Sequence, residues 1–328
     1  MSGDMSSPFS VSNSIASVSG DLAPQDAAWF RKIMSDCILC PRACHADRLD
    51  GGVGYCGQTA DIMAARASLH YWEEPCISGT SGSGTVFFSG CNLRCVFCQN
   101  HNIALGKAGR VITPEHLVKI FLQLQEQGAN NINLVTPTHF LPQIVIALEQ
   151  AKQQGLHLPI VYNTSSYESP EALHHLEGLV DIYLPDLKYF SPELSTAYSH
   201  APDYFETACA AISEMYRQVG DPVIDEDTGL MQHGMIVRHL LLPGQTKDSK
   251  KILRYLHETY GDHIYISIMN QYTPLPQVAD IEALNRTVTP EEYDRVLRFA
   301  ERIGIEQGFR QEGSSACESF IPEFDERG

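Results

Sequence analysis

A chain of 328 residues with 43% hydrophobic content can bury one large core plus an appendage. No apolar run reaches the ~20 residues needed to span a bilayer, and a net charge of −17 disfavours tight, indiscriminate binding to nucleic acid or anionic lipid. Ten cysteines, most of them in two tight clusters, and a start with neither the basic run nor the apolar centre of a targeting peptide, point to metal ligation in a reducing, cytoplasmic compartment rather than to a disulfide framework.

Residues 1–33 open with a Ser-, Gly- and Asp-rich stretch and read as a disordered or weakly ordered tail. Residues 34–82 read as a Cys-rich metal-binding segment. Cys37, Cys40, Cys44 and Cys56 are spaced C-x2-C-x3-C-x11-C, four soft ligands that close either a tetrahedral zinc site or an iron–sulfur cluster. A set of free buried thiols is the plainer alternative. Pro41 and the glycines before Cys56 supply the tight turns that ligation needs. Gly79 to Gly84 is a linker or a glycine-rich approach to the first barrel strand.

The next cluster lies in Ser89-Gly90-Cys91-Asn92-Leu93-Arg94-Cys95-Val96-Phe97-Cys98-Gln99-Asn100, directly after the apolar run Val86-Phe87-Phe88. Cys91, Cys95 and Cys98 fall within eight residues, and no fourth cysteine is adjacent. Such a loop ligates three irons of a 4Fe-4S cube and leaves the fourth open, and an open iron binds a ligand where a site closed by four thiolates only passes electrons. A three-Cys zinc loop and a disulfide knot are the alternatives.

From Gly84 the chain alternates short β-type runs with helical patterns. Strands are expected over 85–89, 131–135, 159–163, 180–184, 235–242 and 263–269. Thr113-Pro114-Glu115, Ser169-Pro170-Glu171, Ser191-Pro192-Glu193 and Thr289-Pro290-Glu291 each place an N-cap, a first-turn proline and an acid in order. Right-handed βα units in series give an α/β fold, a partial (β/α)6 barrel over 83–305, with residues 306–328 as an extension. Chemistry in such barrels sits at the C-terminal strand ends. Those ends carry Thr136-Pro137-Thr138-His139, Asn163-Thr164-Ser165-Ser166-Tyr167, Pro185-Asp186-Leu187-Lys188-Tyr189 and Arg238-His239, a mixture suited to a zwitterionic, ribose-bearing cofactor. Asp186 and Lys188 also admit a bland reading as a surface ion pair worth at most ~1 kcal/mol.

The Gly-Cys-Asn-Leu-Arg-Cys-x-Phe-Cys-Gln-Asn run, Asn163-Thr164, Asp186-Leu187-Lys188 and the Arg238-His239 to Pro243-Gly244 stretch resemble the radical S-adenosylmethionine (SAM) superfamily. Within it they resemble the pyruvate formate-lyase activating enzyme group, and more closely its subgroup with an extra Cys-x-Leu-Cys-Pro-Arg-x-Cys segment. The resemblance runs from about Cys37 to Tyr293. It implies that SAM chelates the open iron, that an electron from the cluster cleaves it to a 5'-deoxyadenosyl radical, and that this radical abstracts a hydrogen atom. By the same likeness Phe97 stands against the adenine, Lys188 and Arg238 contact SAM, and Thr164 and Asp186 lie at its carboxylate with a monovalent cation between them. The group's Gly-Gly-Glu-type motif for the SAM amino group is absent, and Thr138 and His139 are expected in its place. Implied partners are a one-electron donor of the flavodoxin or ferredoxin type and a glycyl radical enzyme. Another peptide or small-molecule substrate is the first alternative, and a non-catalytic metal scaffold or electron-transfer protein the second.

Overall fold

The computed structural model describes residues 24–310. The tail before residue 24 and the extension after residue 310 lie outside the described residues. Pro24–Ser35, at the end of the expected tail, is helical.

The strands are β1 (Ile62–His70), β2 (Ser83–Phe88), β3 (Arg110–Ile112), β4 (Ile132–Val135), β5 (Ile160–Thr164), β6 (Ile182–Pro185), β7 (Val223–Ile224), β8 (Met231–Leu240), β9 (Tyr265–Met269) and β10 (Gly308–Arg310). The six expected strands correspond to β2, β4, β5, β6, β8 and β9, and each pairs in parallel with the next. Laterally the order is β10-β9-β8-β6-β5-β4-β2-β1-β3, with β7 off this path. The sheet does not close, so the fold is an open partial barrel. β1, inside the Cys-rich segment, runs antiparallel to β2 and carries β3 on its other edge. Within the acid-bearing residues 221–227 that lead toward β8, β7 pairs with the start of β8 at Met231 and His233, away from the C-terminal rim.

The helices start where the sequence punctuates them. Thr113, Ser169, Ser191 and Thr289 accept hydrogen bonds from the backbone N–H groups of His116, Ala172, Leu194 and Glu292, each followed by a first-turn proline. Glu292 reaches back to the Thr289 N–H and completes a capping box.

Every residue of β2, β4, β5 and β6 is buried, the pattern of parallel strands covered on both faces. Alternate side chains divide between two cores. Ile160, Tyr162 and Tyr183 face the helices. Val161, Ile182 and Leu184 face inward, where Cys76 and Ile77 of the short helix Pro75–Ser78 pack on them. Asn131, just before β4, donates from Nδ2 to the Ile77 carbonyl at 2.8 Å. That bond holds the plug at the N-terminal end of the barrel, and Glu73, just before it, is left pointing toward the opposite rim. No helix among the described residues is long and apolar enough to cross a membrane.

Candidate active site

The C-x3-C-x2-C loop leaves β2 through Ser89 and Gly90. Gly90 has φ +90, and a Cβ there would lie 2.5 Å from the Gln58 side chain and 2.9 Å from the Cys56 carbonyl. The loop is thus pressed against 56–58, and only glycine fits. The Leu93 and Arg94 backbone N–H groups donate to Cys91 Sγ at 3.3 and 3.5 Å, and the Ser199 hydroxyl donates to Cys95 Sγ at 3.0 Å. Burial, followed by the charge of neighbouring thiolates, pushes the Cys91 and Cys98 thiols up. They stay protonated as free thiols, and a bound metal must supply the energy that ionises them.

Cys95 and Cys98 open into a cavity of about 210 Å3 at the C-terminal strand ends, lined also by Phe97, Glu73, Asn163, Asp186, Lys188 and Arg238. Phe97 is buried, its ring held edge-on by Tyr272, Tyr189 and Tyr198 at 6.0, 6.4 and 6.4 Å. The charged groups form one network. Arg238 donates from Nε to Asp186 at 3.0 Å, from Nη1 to Glu73 at 3.1 Å and from Nη2 to Asn163 at 2.6 Å. Lys188 Nζ donates to the other Asp186 oxygen at 2.5 Å, and Asn133 donates to Glu73 at 3.2 Å. Burial acts to raise the Asp186 pKa, but the charges of Lys188 and Arg238 outweigh it and hold the carboxyl below its usual range. Burial likewise opposes the Lys188 charge, and Asp186 more than restores it. At Glu73 burial wins over Arg238 and holds the carboxyl above its usual range. The Asp186–Lys188 pair is thus a largely buried part of a pocket wall rather than a surface pair.

Not every expected rim residue reaches this pocket. Thr136 turns the chain with φ +55, and Thr138–Phe140 then forms a 3-10 turn whose three side chains are all buried. Thr138 donates to Glu168 at 2.5 Å, and so does Thr164. His139 Nε2 donates to the Ser89 carbonyl at 2.7 Å. Glu168 is fully buried, and burial pushes its pKa up to about 7 against those hydroxyl hydrogen bonds. Sequence reasoning missed Glu168 and Glu73. Glu73 carried a faint signal, being an acid between a β-type run and a proline. Cys37, Cys40, Cys44 and Cys56 line a second, separate cavity with Arg48 and His139. All nine described cysteines are free thiols.

An open 4Fe-4S cube fits the first site by donor chemistry. A cube spreads its protein thiolates over separate irons, and Cys91, Cys95 and Cys98 supply three from one loop. SAM carries a carboxylate, an ammonium and a sulfonium, and the wall offers both cations and carboxylates beside the thiols.

Comparison with known proteins agrees. Residues 85–256 match the family model for the radical SAM superfamily, just over half of the chain. An uncharacterized protein of Methanocaldococcus jannaschii is 27% identical over 286 residues, 84% of this chain and 77% of that one. The pyruvate formate-lyase-activating enzyme of Clostridium pasteurianum is 30% identical over 121 residues, 34% of this chain and 48% of the relative; the match spans about half the length of that enzyme. The crystal structure of HydG, a maturase of the [FeFe]-hydrogenase, shares the fold, with a TM-score of 0.50 at 14% identity over 72% of this chain and 54% of that one. With a three-thiol loop at the mouth of an open parallel barrel and a family match over most of that barrel, the chain belongs to the radical SAM superfamily.

Proposed function

We propose that the pocket binds SAM at a 4Fe-4S cluster held by Cys91, Cys95 and Cys98, and that the chain generates a radical on a glycine of a partner protein. The observation that carries this reading is the opening of two of the three thiols into a cavity whose wall is built from largely buried charges of both signs. When bound, the reduced cluster supplies the electron that splits the sulfonium C–S bond and yields a 5'-deoxyadenosyl radical. The chain's own residues bind, orient and exclude water. Lys188 and Arg238 face the SAM carboxylate. Glu73 takes the ammonium, the role expected of Thr138 and His139, because of the two carboxylates lining the pocket Asp186 is already held by both Lys188 and Arg238 while of these two cations Arg238 alone holds Glu73, and Thr138 and His139 are turned away. Phe97, clamped by three tyrosines, offers its edge or face to the adenine. The partial likeness to a pyruvate formate-lyase-activating enzyme supports a glycine Cα–H as the hydrogen donor. A flavodoxin- or ferredoxin-type protein supplies the electron, in a cytoplasmic, anaerobic setting.

The test is anaerobic reconstitution with iron and sulfide, dithionite reduction, and chromatography for 5'-deoxyadenosine. Wild type forms it and Cys95→Ala does not. Glu73→Gln keeps the cluster and weakens SAM binding at least tenfold, about 1.4 kcal/mol. A glycyl EPR doublet on a co-incubated partner supports activation. A permanent mass change on a peptide or small molecule instead assigns the chain to substrate modification, and iron-free protein inert under every reductant removes the enzyme reading.

A further inference from the structure

Arg217, Arg286 and Arg310, all exposed, stand beside acids: the first pairs with Glu177 and Glu214, the second with Glu292 and the third with Glu301. One face of the molecule breaks that pattern. Helices Thr246–Tyr260 and Pro290–Ile303 pack against each other, burying Ile252, Leu253 and Leu256 of the first and Tyr293, Val296 and Phe299 of the second. Around Phe299 they gather five cations. Lys250 Nζ and the Arg254 guanidinium lie over its ring at 5.6 and 5.4 Å. Slight burial, together with the charges of Arg295, Arg302 and Arg298, holds the Lys250 ammonium below its usual range. The four arginines are exposed and Lys250 is half-buried.

Their spacing makes these charges repel. Lys250 and Arg254 stand four residues apart on one helix, and Arg295, Arg298 and Arg302 follow at intervals of three and four on the other. Each cation therefore sits one turn from another, a separation at which like charges destabilise a helix. Among the described residues no acid forms an ion pair with any of the five. Glu291, one turn before Arg295, feels its charge without pairing with it. In a chain with 40 acids against 23 Lys and Arg, this cluster locally reverses the sign of the field, and an anionic partner that covers it relieves the repulsion.

What the face lacks narrows that partner. Single-stranded nucleic acid is held by exposed aromatic rings set among cations, and a membrane surface by apolar side chains that enter it. Phe299 is only 8% exposed, and the large exposed apolar side chains of the described residues all lie outside these two helices. A long polyanion would also run past the patch onto an acidic surface that repels it. A folded protein with a compact acidic face meets the five cations alone. We propose that Lys250, Arg254, Arg295, Arg298 and Arg302 form a docking face for an acidic surface of a partner protein. The face draws on none of the cluster's chemistry, so this reading and the SAM reading fail separately.

The experiment titrates the full-length, reconstituted protein with octaglutamate, an RNA oligonucleotide of equal charge and phosphatidylserine vesicles. It is run at about 50 and about 300 mM salt, between which the screening length falls more than about twofold. Expected is octaglutamate binding that weakens at least about tenfold at the higher salt, and at least about tenfold when the five cations are changed together to glutamine. Tighter binding of RNA or vesicles through the same residues overturns the protein partner. No binding, or binding that the five changes leave untouched, overturns the face. Arg295→Gln, Arg298→Gln and Arg302→Gln together leave both cations over Phe299 in place, and this variant carries the test should the fivefold one fail to fold. It should weaken octaglutamate at least about threefold and unfold in urea at a midpoint no lower than wild type, because repulsion has been removed. Unchanged binding, or a lower midpoint, gives these cations to the fold and overturns the proposal. Binding that appears only after Glu312, Glu318, Glu323, Asp325 and Glu326 are changed to glutamine or asparagine assigns the face to the chain's own acids and overturns a separate partner.

Discussion

Two cysteine loops meet in this molecule and differ in one count. The loop at Cys91–Cys98 offers three thiols beside a 210 Å3 cavity; the loop at Cys37–Cys56 offers four around 10 Å3. On the proposed reading the difference separates a loop that does chemistry from one that does not. On the proposed reading the missing fourth thiolate leaves a coordination position, and charged groups fit for a zwitterion line the cavity beside it. The four-thiol loop packs the Arg48 guanidinium and the His139 imidazole at its hollow and leaves Cys44 exposed.

The widest way to split the pair is to remove one thiol from each. Cys98→Ala should reduce 5'-deoxyadenosine formation at least about a thousandfold, some 4 kcal/mol of barrier, and change thermal unfolding little. Cys56→Ser, buried between Gly57 and the radical loop, should lower the melting temperature of the reconstituted protein by several degrees; equal effects of the two on both readouts would erase the distinction. Next is Arg238→Met, which leaves Asp186 and Glu73 buried with one cation fewer. Removing one partner of a buried pair costs about 3–5 kcal/mol, so denaturant unfolding should show a loss of that order.

Glu168 separates the regions by pH. Its carboxyl ionises near 7 in the folded chain because burial disfavours the charge, against an ordinary value near 4.3 unfolded. The folded state therefore holds the proton more tightly, and stability falls as pH rises from about 4.5 through 7. Glu168→Gln should flatten that fall, by a few kcal/mol at most between pH 5 and pH 8 in urea titrations. The smallest effect belongs to Ser199→Ala. Removing the hydroxyl that donates to Cys95 Sγ should shift the SAM cluster's potential downward and slow SAM cleavage about twofold to threefold.

The parts of this architecture that local chemistry writes were legible in the sequence. The four Ser/Thr-Pro-Glu caps mark helix starts because an N-cap hydroxyl, a proline and an acid act within one turn. The six parallel strands show as apolar runs, and the three-thiol spacing marks the loop that stands at the pocket. What depends on distant packing was not legible. β1 alternates poorly, with Ala64, Ala65 and Ala67 in its middle, and only its pairing with β2 makes it a strand. Glu73 becomes a pocket wall because β1 and the plug at Pro75–Ser78 aim it there. Thr138 and His139 leave the rim because Thr136 adopts a left-handed turn, a choice no spacing rule foretells for threonine.

Arg42 carries a last consequence. Its Nε donates to the Asn92 carbonyl at 2.8 Å, its Nη2 to Ser199 at 2.9 Å and its Nη1 to His200 at 2.5 Å, while its guanidinium lies over Tyr55 at 4.0 Å. Arg42 sits between Cys40 and Cys44, and Asn92 between Cys91 and Cys95. One side chain thus rivets the two loops together, and the shape of the second depends on the first being in place. Packing inherits a dependence from this: a change that loosens the four-thiol loop also loosens its hold on the Asn92, Ser199 and His200 carbonyls beside the three-thiol loop.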